Sequence, residues 1–534
     1  MSRNLDMRIP FGLVVAAAAL VALFTAFWPP EGAAETVSLT ILHTTDLHGY
    51  VRSHEEEDGR NLGGLDRIAT LIRRERQSDP EVILLDNGDT IQGNSQAFLF
   101  KGRHIIECMN ALAYDAMTVG NHEFNFGPQV IERMRKASRF PWLSANVLKI
   151  GPEGKAPASE PFIILERKGV RVGVLGLTVS DVPNWEQPRY IRGLEFVDII
   201  AAAREWVPRV RPLCDVLVLL AHTGAERRDN ERFPSAAAAG ADIARECPGL
   251  DVVICGHRHV PVESVEAGGA VVTAAGKWGS HLGRVTLQVE KRPEGARVIS
   301  RRAELLPVTG DIPADAKIEA IFAPFEKRWK RWAGEVLGTT AVPLDFRRAQ
   351  HEETAAVNLI HDAMKWATGA DVTLHVAFNG RTVIPAGPVT NQDVSEMYEY
   401  DNALWVLTLT GRQLKDYLEE GVGGYGTWRF LTAAGVNYAF DVSRPRGERL
   451  LKVERDGRPL PDDAVLTVAI NHYNAVRGME DSLYRKASAV RETGRWIRDV
   501  IADYIRAKGT VRPSVQGWFT VEGAGRARVA PAAR

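Results

Sequence analysis

The chain has 534 residues, 45% of them apolar and 25% charged. That is too long for one core, because domains close at roughly 100–250 residues, and too apolar for a disordered or collagen-like chain. Lys and Arg number 66 against 67 Asp and Glu, a net charge of −1, which excludes a dedicated binder of nucleic-acid polymers, since these carry a basic excess. Four cysteines without a CxxC pair exclude a disulfide scaffold, and Cys214 and Cys255, set in apolar runs, read as small buried hydrophobes.

Residues 1–35 begin with Arg3 and Arg8, run without charge from Phe11 to Trp28, and end in Pro29-Pro30 and Ala33-Ala34. This is the grammar of a secretory signal peptide or, uncleaved, of an N-terminal anchor. Both readings place the rest of the chain outside the cytoplasm, in a periplasm or at the cell surface.

From residue 36 short Val/Ile/Leu-rich runs each precede a polar motif. Val37–Leu42 leads to Asp46-Leu47-His48, Val82–Leu85 to Asp86-Asn87-Gly88-Asp89, and Ala116–Val119 to Gly120-Asn121-His122-Glu123. Val216–Leu220 leads to Ala221-His222-Thr223, and Val252–Cys255 to Gly256-His257-Arg258-His259. Such runs predict buried strands. Leu65–Arg76 and Ile199–Val210 between them read as helices, so residues 36–308 form a layered α/β domain with its polar residues at strand ends. Residues 309–335 read as a linker containing an amphipathic helix, Ile318–Glu335. A second α/β domain over 336–521 carries its own apolar runs, Val372–Ala377, Leu404–Leu409 and Val465–Ile470, and residues 522–534 read as a disordered tail.

Five of the 13 histidines fall in the strand-end motifs, with Asp46, Asp89 and Asn121 beside them. A lone histidine after a strand is usually structural. Five successive loops that all offer ligands are a different matter, because strands lying side by side bring those ends to one edge of a sheet. An N/O donor set without cysteine suits two borderline divalent ions, Mn, Zn, Fe or Co. Such a pair activates water for in-line phosphoryl displacement.

Asp46-x-His48, Gly88-Asp89, Gly120-Asn121-His122-Glu123, His222 and Gly256-His257-x-His259 resemble, in order and setting, the calcineurin-like metallophosphoesterases. The chain as a whole is similar to the bacterial 5′-nucleotidase and 2′,3′-cyclic-nucleotide 2′-phosphodiesterase/3′-nucleotidase group. The resemblance implies a four-layer α/β/β/α sandwich followed by a smaller α/β substrate-binding domain. It also implies that Asp46, His48 and His259 hold one ion, that Asn121, His222 and His257 hold the other, and that Asp89 bridges them. His122 would face the phosphate without being a ligand. In 5′-nucleotidases an Asp three positions after this histidine forms a dyad with it. Here that position is Asn125, as in the cyclic-phosphodiesterase branch.

The second domain holds two segments similar to the family's nucleotide-binding motifs, Phe430–Tyr438 and Asn471–Ala475. Phe430 and Tyr473 would stack on the base, and Arg381 would contact phosphate or ribose. The family's base-contacting Asp is replaced by Met479. Tyr400-Asp401-Asn402 again agrees with the cyclic-phosphodiesterase branch. His43 reads as a core or ligand-supporting residue, and His54, His104 and His281 as surface or loop histidines. The leading expectation is an exported enzyme for 2′,3′-cyclic nucleotides and 3′-nucleotides. The alternatives are a 5′-nucleotidase or nucleotide-sugar hydrolase, more distantly a thiosulfohydrolase, and a surface nucleotide-binding protein with a decayed site.

Overall fold

A computed structural model describes residues 35–55, 61–226, 238–292, 295–478 and 481–523. The expected signal or anchor over residues 1–34, Met479 and the end of the expected tail lie outside the described residues. No helix among the described residues is long and apolar enough to cross a membrane.

The first domain contains two six-stranded sheets. Their strands are β1 (Thr36–Thr44), β2 (Ile83–Asp86), β3 (Ala116–Thr118), β4 (Trp142–Leu143), β5 (Phe162–Arg167), β6 (Val170–Thr178), β7 (Val216–His222), β8 (Val252–Cys255), β9 (Pro261–Ala267), β10 (Ala270–Ala275), β11 (His281–Arg292) and β12 (Gly295–Pro307). One sheet runs β12-β11-β1-β2-β3-β4 and the other β9-β10-β8-β7-β6-β5. β1 to β4 pair in parallel, as do β6, β7, β8 and β10. The sequence reads this correctly as buried strands, since each residue of β7 is buried.

The sheets pack face to face through Leu39, Ile41, Ile83 and Leu85 on one side and Val172, Val218 and Ile254 on the other. Helices cover the outer faces, among them Leu65–Ser78 and Ile199–Val210, and complete the α/β/β/α order. The motif strands therefore do not lie in one sheet. β1, β2 and β3 belong to the first and β7 and β8 to the second, and their C-terminal ends meet across the top of the sandwich.

Asp315 caps the helix Ala316–Ala333 through the amides of Lys317 and Ile318. Ile318 and Phe322 of this helix bury in the first domain's core. The second domain is built on a five-stranded sheet of β13 (Val372–Val376), β14 (Ala403–Thr410), β15 (Leu431–Ala434), β16 (Val465–Asn471) and β17 (Ala489–Trp496), in the order β15-β13-β16-β14-β17. Its core centres on Tyr398, Trp405, Phe430 and Phe440. The ordered chain reaches further than its composition suggests, because Phe519–Glu522 pairs in parallel with Asn437–Asp441. All four cysteines are free and buried, and burial pushes the Cys108 thiol up to about 12.

The domains meet through a buried polar junction. Gln92 Nε2 of the first domain donates to Asp401 Oδ2 at 2.7 Å, and Arg498 lies 3.1 Å from Asp401 Oδ1. The Lys101 ammonium sits 3.9 Å from the Phe98 ring centroid, 4.3 Å from that of Phe126 and 5.7 Å from that of Trp496 in the second domain. Arg498→Ala would leave Asp401 buried without its cation, a loss of about 3–5 kcal/mol. The variant should show a correspondingly lower midpoint in chemical unfolding.

Candidate metal centre

The loops after β1, β2 and β8 bring their ligands inward through an unusual backbone. Asp46, His48, Asp89, His257 and His259 all have φ between 49° and 64°. This left-handed region disfavours side chains, and residues held there concentrate at functional sites. Neighbouring glycines make room for them. A Cβ on Gly120 would lie 2.2 Å from Asp89 Oδ1, and one on Gly256 would lie 2.7 Å from Asp46 Oδ2.

Three clusters of ligand atoms result: Asp46, His48 and His259; His48, Asp89 and His122; Asp89, His222 and His257. His48 Nε2 and His259 Nε2 are 2.9 Å apart, and Asp46 Oδ1 is 3.5 Å from His259 Nε2. On the other side His222 Nε2 is 3.0 Å from Asp89 Oδ2, and His257 Nδ1 is 2.8 Å from Asn121 Oδ1. All seven expected ligands therefore come together, with Asp89 clustered with His48 and His122 on one side and with His222 and His257 on the other.

Hydrogen bonds select the nitrogen that each ring presents. His48 Nδ1 donates to the Gln92 carbonyl and His222 Nδ1 to the Asn87 carbonyl, both at 2.6 Å, so Nε2 of each ring faces the cluster. Burial, with neighbouring histidines, lowers His48 and His257 to about 3, which keeps those rings neutral as ligands. Burial works against charge on Asp46 and Asp89 as well. Hydrogen bonding and charge from His259 nevertheless hold Asp46 below its ordinary value, and His222 and His122 hold Asp89 well below. Burial opposes the His222 cation, but the Asp89 carboxylate beside it raises that ring to about 10. The expected donor set, four histidines, two carboxylates and one side-chain amide with no cysteine, fits two borderline divalent ions.

Several supporting residues carry no sequence signal of their own. The buried Glu123 carboxylate accepts from the backbone amides of Asp89 (2.9 Å), Thr90 (2.7 Å), Ile91 (3.2 Å) and Gly120 (2.8 Å), which ties the Asp89 loop to the Asn121 loop. Trp185 stacks on His257 with ring centroids 5.3 Å apart. His122 Nδ1 donates to Asn125 Oδ1 at 2.6 Å, and Asn125 Nδ2 donates to Glu186 Oε2 at 2.7 Å. His122 Nε2 lies 3.9 Å from Asp89 Oδ2, with about a third of its side chain exposed.

The expected substrate residues divide. Tyr473 is 36% exposed, and Arg381 is a surface side chain paired with Glu399 at 3.1 Å. Phe430 corrects the expectation. It is wholly buried, surrounded by Tyr425, Phe440 and Phe519, and has no face left for a base. His104 is likewise not a surface residue, since it is buried on a helix with Nε2 2.9 Å from the Gly49 carbonyl. His54 and His281 are part-buried at strand ends. His43 is a core residue packed on Gly283, with neither nitrogen hydrogen-bonded.

Two outcomes test this geometry. Glu123→Gln replaces an acceptor oxygen by a donor and should destabilise the fold by about 2–3 kcal/mol, with weakened metal uptake by elemental analysis. Because protons compete for His222 Nε2, whose ring is raised to about 10, metal affinity measured by titration should keep rising with pH until about pH 10.

Residues 39–261 match the calcineurin-like phosphoesterase family, and residues 336–484 match the C-terminal domain of 5′-nucleotidases. The trifunctional nucleotide phosphoesterase YfkN of Bacillus subtilis is 26% identical over 92% of this chain, which spans only 39% of that longer protein. The 2′,3′-cyclic-nucleotide 2′-phosphodiesterase/3′-nucleotidase of Haemophilus influenzae is 26% identical, over 90% of this chain and 86% of its own. The 5′-nucleotidase precursor of Thermus thermophilus superposes with a TM-score of 0.68 at 26% identity, covering 92% of this chain and 100% of that one. The chain is thus a metal-dependent hydrolase of the calcineurin-like metallophosphoesterases with a C-terminal nucleotidase domain, related to the bacterial 5′-nucleotidase and 2′,3′-cyclic-nucleotide phosphodiesterase family.

Proposed function

We propose that this chain is an exported two-ion phosphoesterase that hydrolyses nucleotides, foremost 2′,3′-cyclic nucleotides and 3′-nucleotides. The observation that carries the two-ion reading is the position of Asp89, which clusters with His48, itself grouped with Asp46 and His259, and also with His222 and His257. Asp46, His48 and His259 would hold one ion, Asn121, His222 and His257 the other, and Asp89 both. Mn, Zn, Fe or Co would suit these donors. Bound there, such ions would polarise the phosphate and make water nucleophilic near neutral pH.

The protein's own residues supply the rest. Asn125 fixes the His122 ring, so that Nε2 faces the reacting phosphate and exchanges a proton with the leaving oxygen. Tyr473 offers a partly exposed ring face to a base, and the half-exposed Tyr400 near it replaces Phe430 as the second aromatic. Arg381, near Tyr400, would meet ribose or phosphate. Preference for cyclic and 3′ substrates is supported by the amide at position 125. Likeness to the Thermus 5′-nucleotidase precursor favours 5′-nucleotides as the second reading. That relative's precursor form and the composition of residues 1–35 support export, with the N-terminal segment cleaved or retained as an anchor.

Assays of 2′,3′-cyclic AMP, 3′-AMP and 5′-AMP side by side should give the highest kcat/KM on the cyclic substrate. A clear preference for 5′-AMP would reverse the order of the two readings. His122→Ala should lower kcat by about 10²–10⁴-fold while bound metal stays at wild-type content. Asp89→Ala should lose metal from both positions together with turnover.

A further inference from the structure

We infer that Glu186 is the positioning residue for His122, acting through the side-chain amide of Asn125. This rests on the phosphoesterase reading of the site, in which His122 Nε2 faces the phosphate.

An asparagine beside a histidine is ambiguous. Its carbonyl oxygen accepts from an imidazole N–H, whereas its NH₂, after a flip of the amide, donates to a bare imidazole nitrogen. The two orientations select opposite tautomers, and only one leaves Nε2 bare toward Asp89 and the reaction centre. Glu186 removes the ambiguity. The residue is 1% exposed; burial raises its carboxyl to about 7, and in the ionised form its two oxygens only accept hydrogen bonds. Oε2 takes the Asn125 Nδ2 proton at 2.7 Å, and Oε1 takes the backbone amide of Gln187 at 2.7 Å. Asn125 must then present Oδ1 to His122, and His122 must place its proton on Nδ1, 2.6 Å away.

Glu186 is itself held from three sides. Its backbone amide donates to the Val182 carbonyl at 3.0 Å, and the preceding Trp185 ring is stacked on His257. From the second domain, His472 accepts the Ala403 amide on Nδ1, so its protonated Nε2 points toward Glu186 Oε1 at 4.0 Å. A carboxylate buried this deeply is disfavoured unless its acceptors are used. Here they are used to orient an amide whose other end holds the catalytic histidine. In place of the histidine–aspartate pair that the resemblance to 5′-nucleotidases implies, this chain places a histidine–asparagine–glutamate series.

The arrangement predicts a compensating pair. Asn125→Asp alone places two acceptor-only groups opposite each other at the Glu186 contact, so charge repulsion turns the new carboxylate away from His122. Adding Glu186→Gln returns a donor to that contact and rebuilds a direct histidine–aspartate pair. With Mn²⁺-supplemented enzyme and 2′,3′-cyclic AMP, Glu186→Leu should lower kcat about 10–100-fold, with KM and metal content unchanged. Glu186→Gln, whose amide oxygen still accepts, should lose no more than about threefold. Asn125→Asp should be impaired, and Asn125→Asp/Glu186→Gln should recover about tenfold over it. Independent, additive losses in the double variant would overturn the inference. A second readout needs neither metal nor turnover. In ¹⁵N-histidine spectra, with His122 assigned by difference from His122→Gln, the wild type and Glu186→Gln should show the Nδ1–H form and Glu186→Leu a mixture. An unchanged His122 signal in Glu186→Leu would also overturn it. If the wild type hydrolyses no phosphoester with any divalent metal, the phosphoesterase reading fails, while the spectra still judge Glu186. Should Glu186→Leu not fold, the double variant and Glu186→Gln carry the test.

Discussion

Everything at the top of the sandwich is arranged around one carboxylate, Asp89. It must lie beside rings from both sheets, His48 on one side and His222 and His257 on the other, in a place where burial disfavours its charge. Its negative charge is fixed among five histidines, and it raises the pKa of His222, the ring nearest to it. The fixing is done by backbone. Asp89 adopts a left-handed conformation, Gly120 has no Cβ where its Oδ1 lies, and Glu123 binds four amides from the two loops that deliver Asp89 and Asn121. A sandwich of two sheets suits this task, because the ligands approach from two rigid directions.

The strands and the clustering of candidate ligands were legible in the amino-acid sequence because each rests on a local signal. Buried parallel strands read as Val/Ile/Leu runs, and β8 has the expected bounds. The ligands follow those runs directly. Partition of the motif strands between two sheets left no trace in any one motif, because pairing partners are set by non-local packing. The same reason hid Glu186 and Gln92, which lie in loops without periodicity and matter only through what they touch. Phe430 failed for the opposite reason. Its sequence context matches a binding motif, yet an aromatic flanked by β-strand residues serves equally well as core, and Tyr425, Phe440 and Phe519 close over it. Tyr400, half exposed and beside Phe378, offers the face that Phe430 lacks.

The second domain does more than present aromatics. Gln92 gives its carbonyl to His48 and its side chain to Asp401, and Glu186 has Asn125 on one oxygen and His472 near the other. Two routes thus run from the second domain to the candidate metal centre, one ending on His48 and the other on His122. Tyr473 follows His472 directly, so the residue proposed to meet the base adjoins the one that faces Glu186.

The four buried thiols bear on the life of the protein beyond its site. None is paired, all lie within the first domain's core, and burial raises the thiol pKa values of Cys108 and Cys255 so far that almost no thiolate forms at neutral pH. Thiolate is the reactive form, so neither oxidants nor disulfide-exchange catalysts have a handle on these residues. The fold's integrity is therefore independent of redox poise. The domain is held without a disulfide, and passage from a reducing compartment to an oxidising one leaves its covalent structure unchanged.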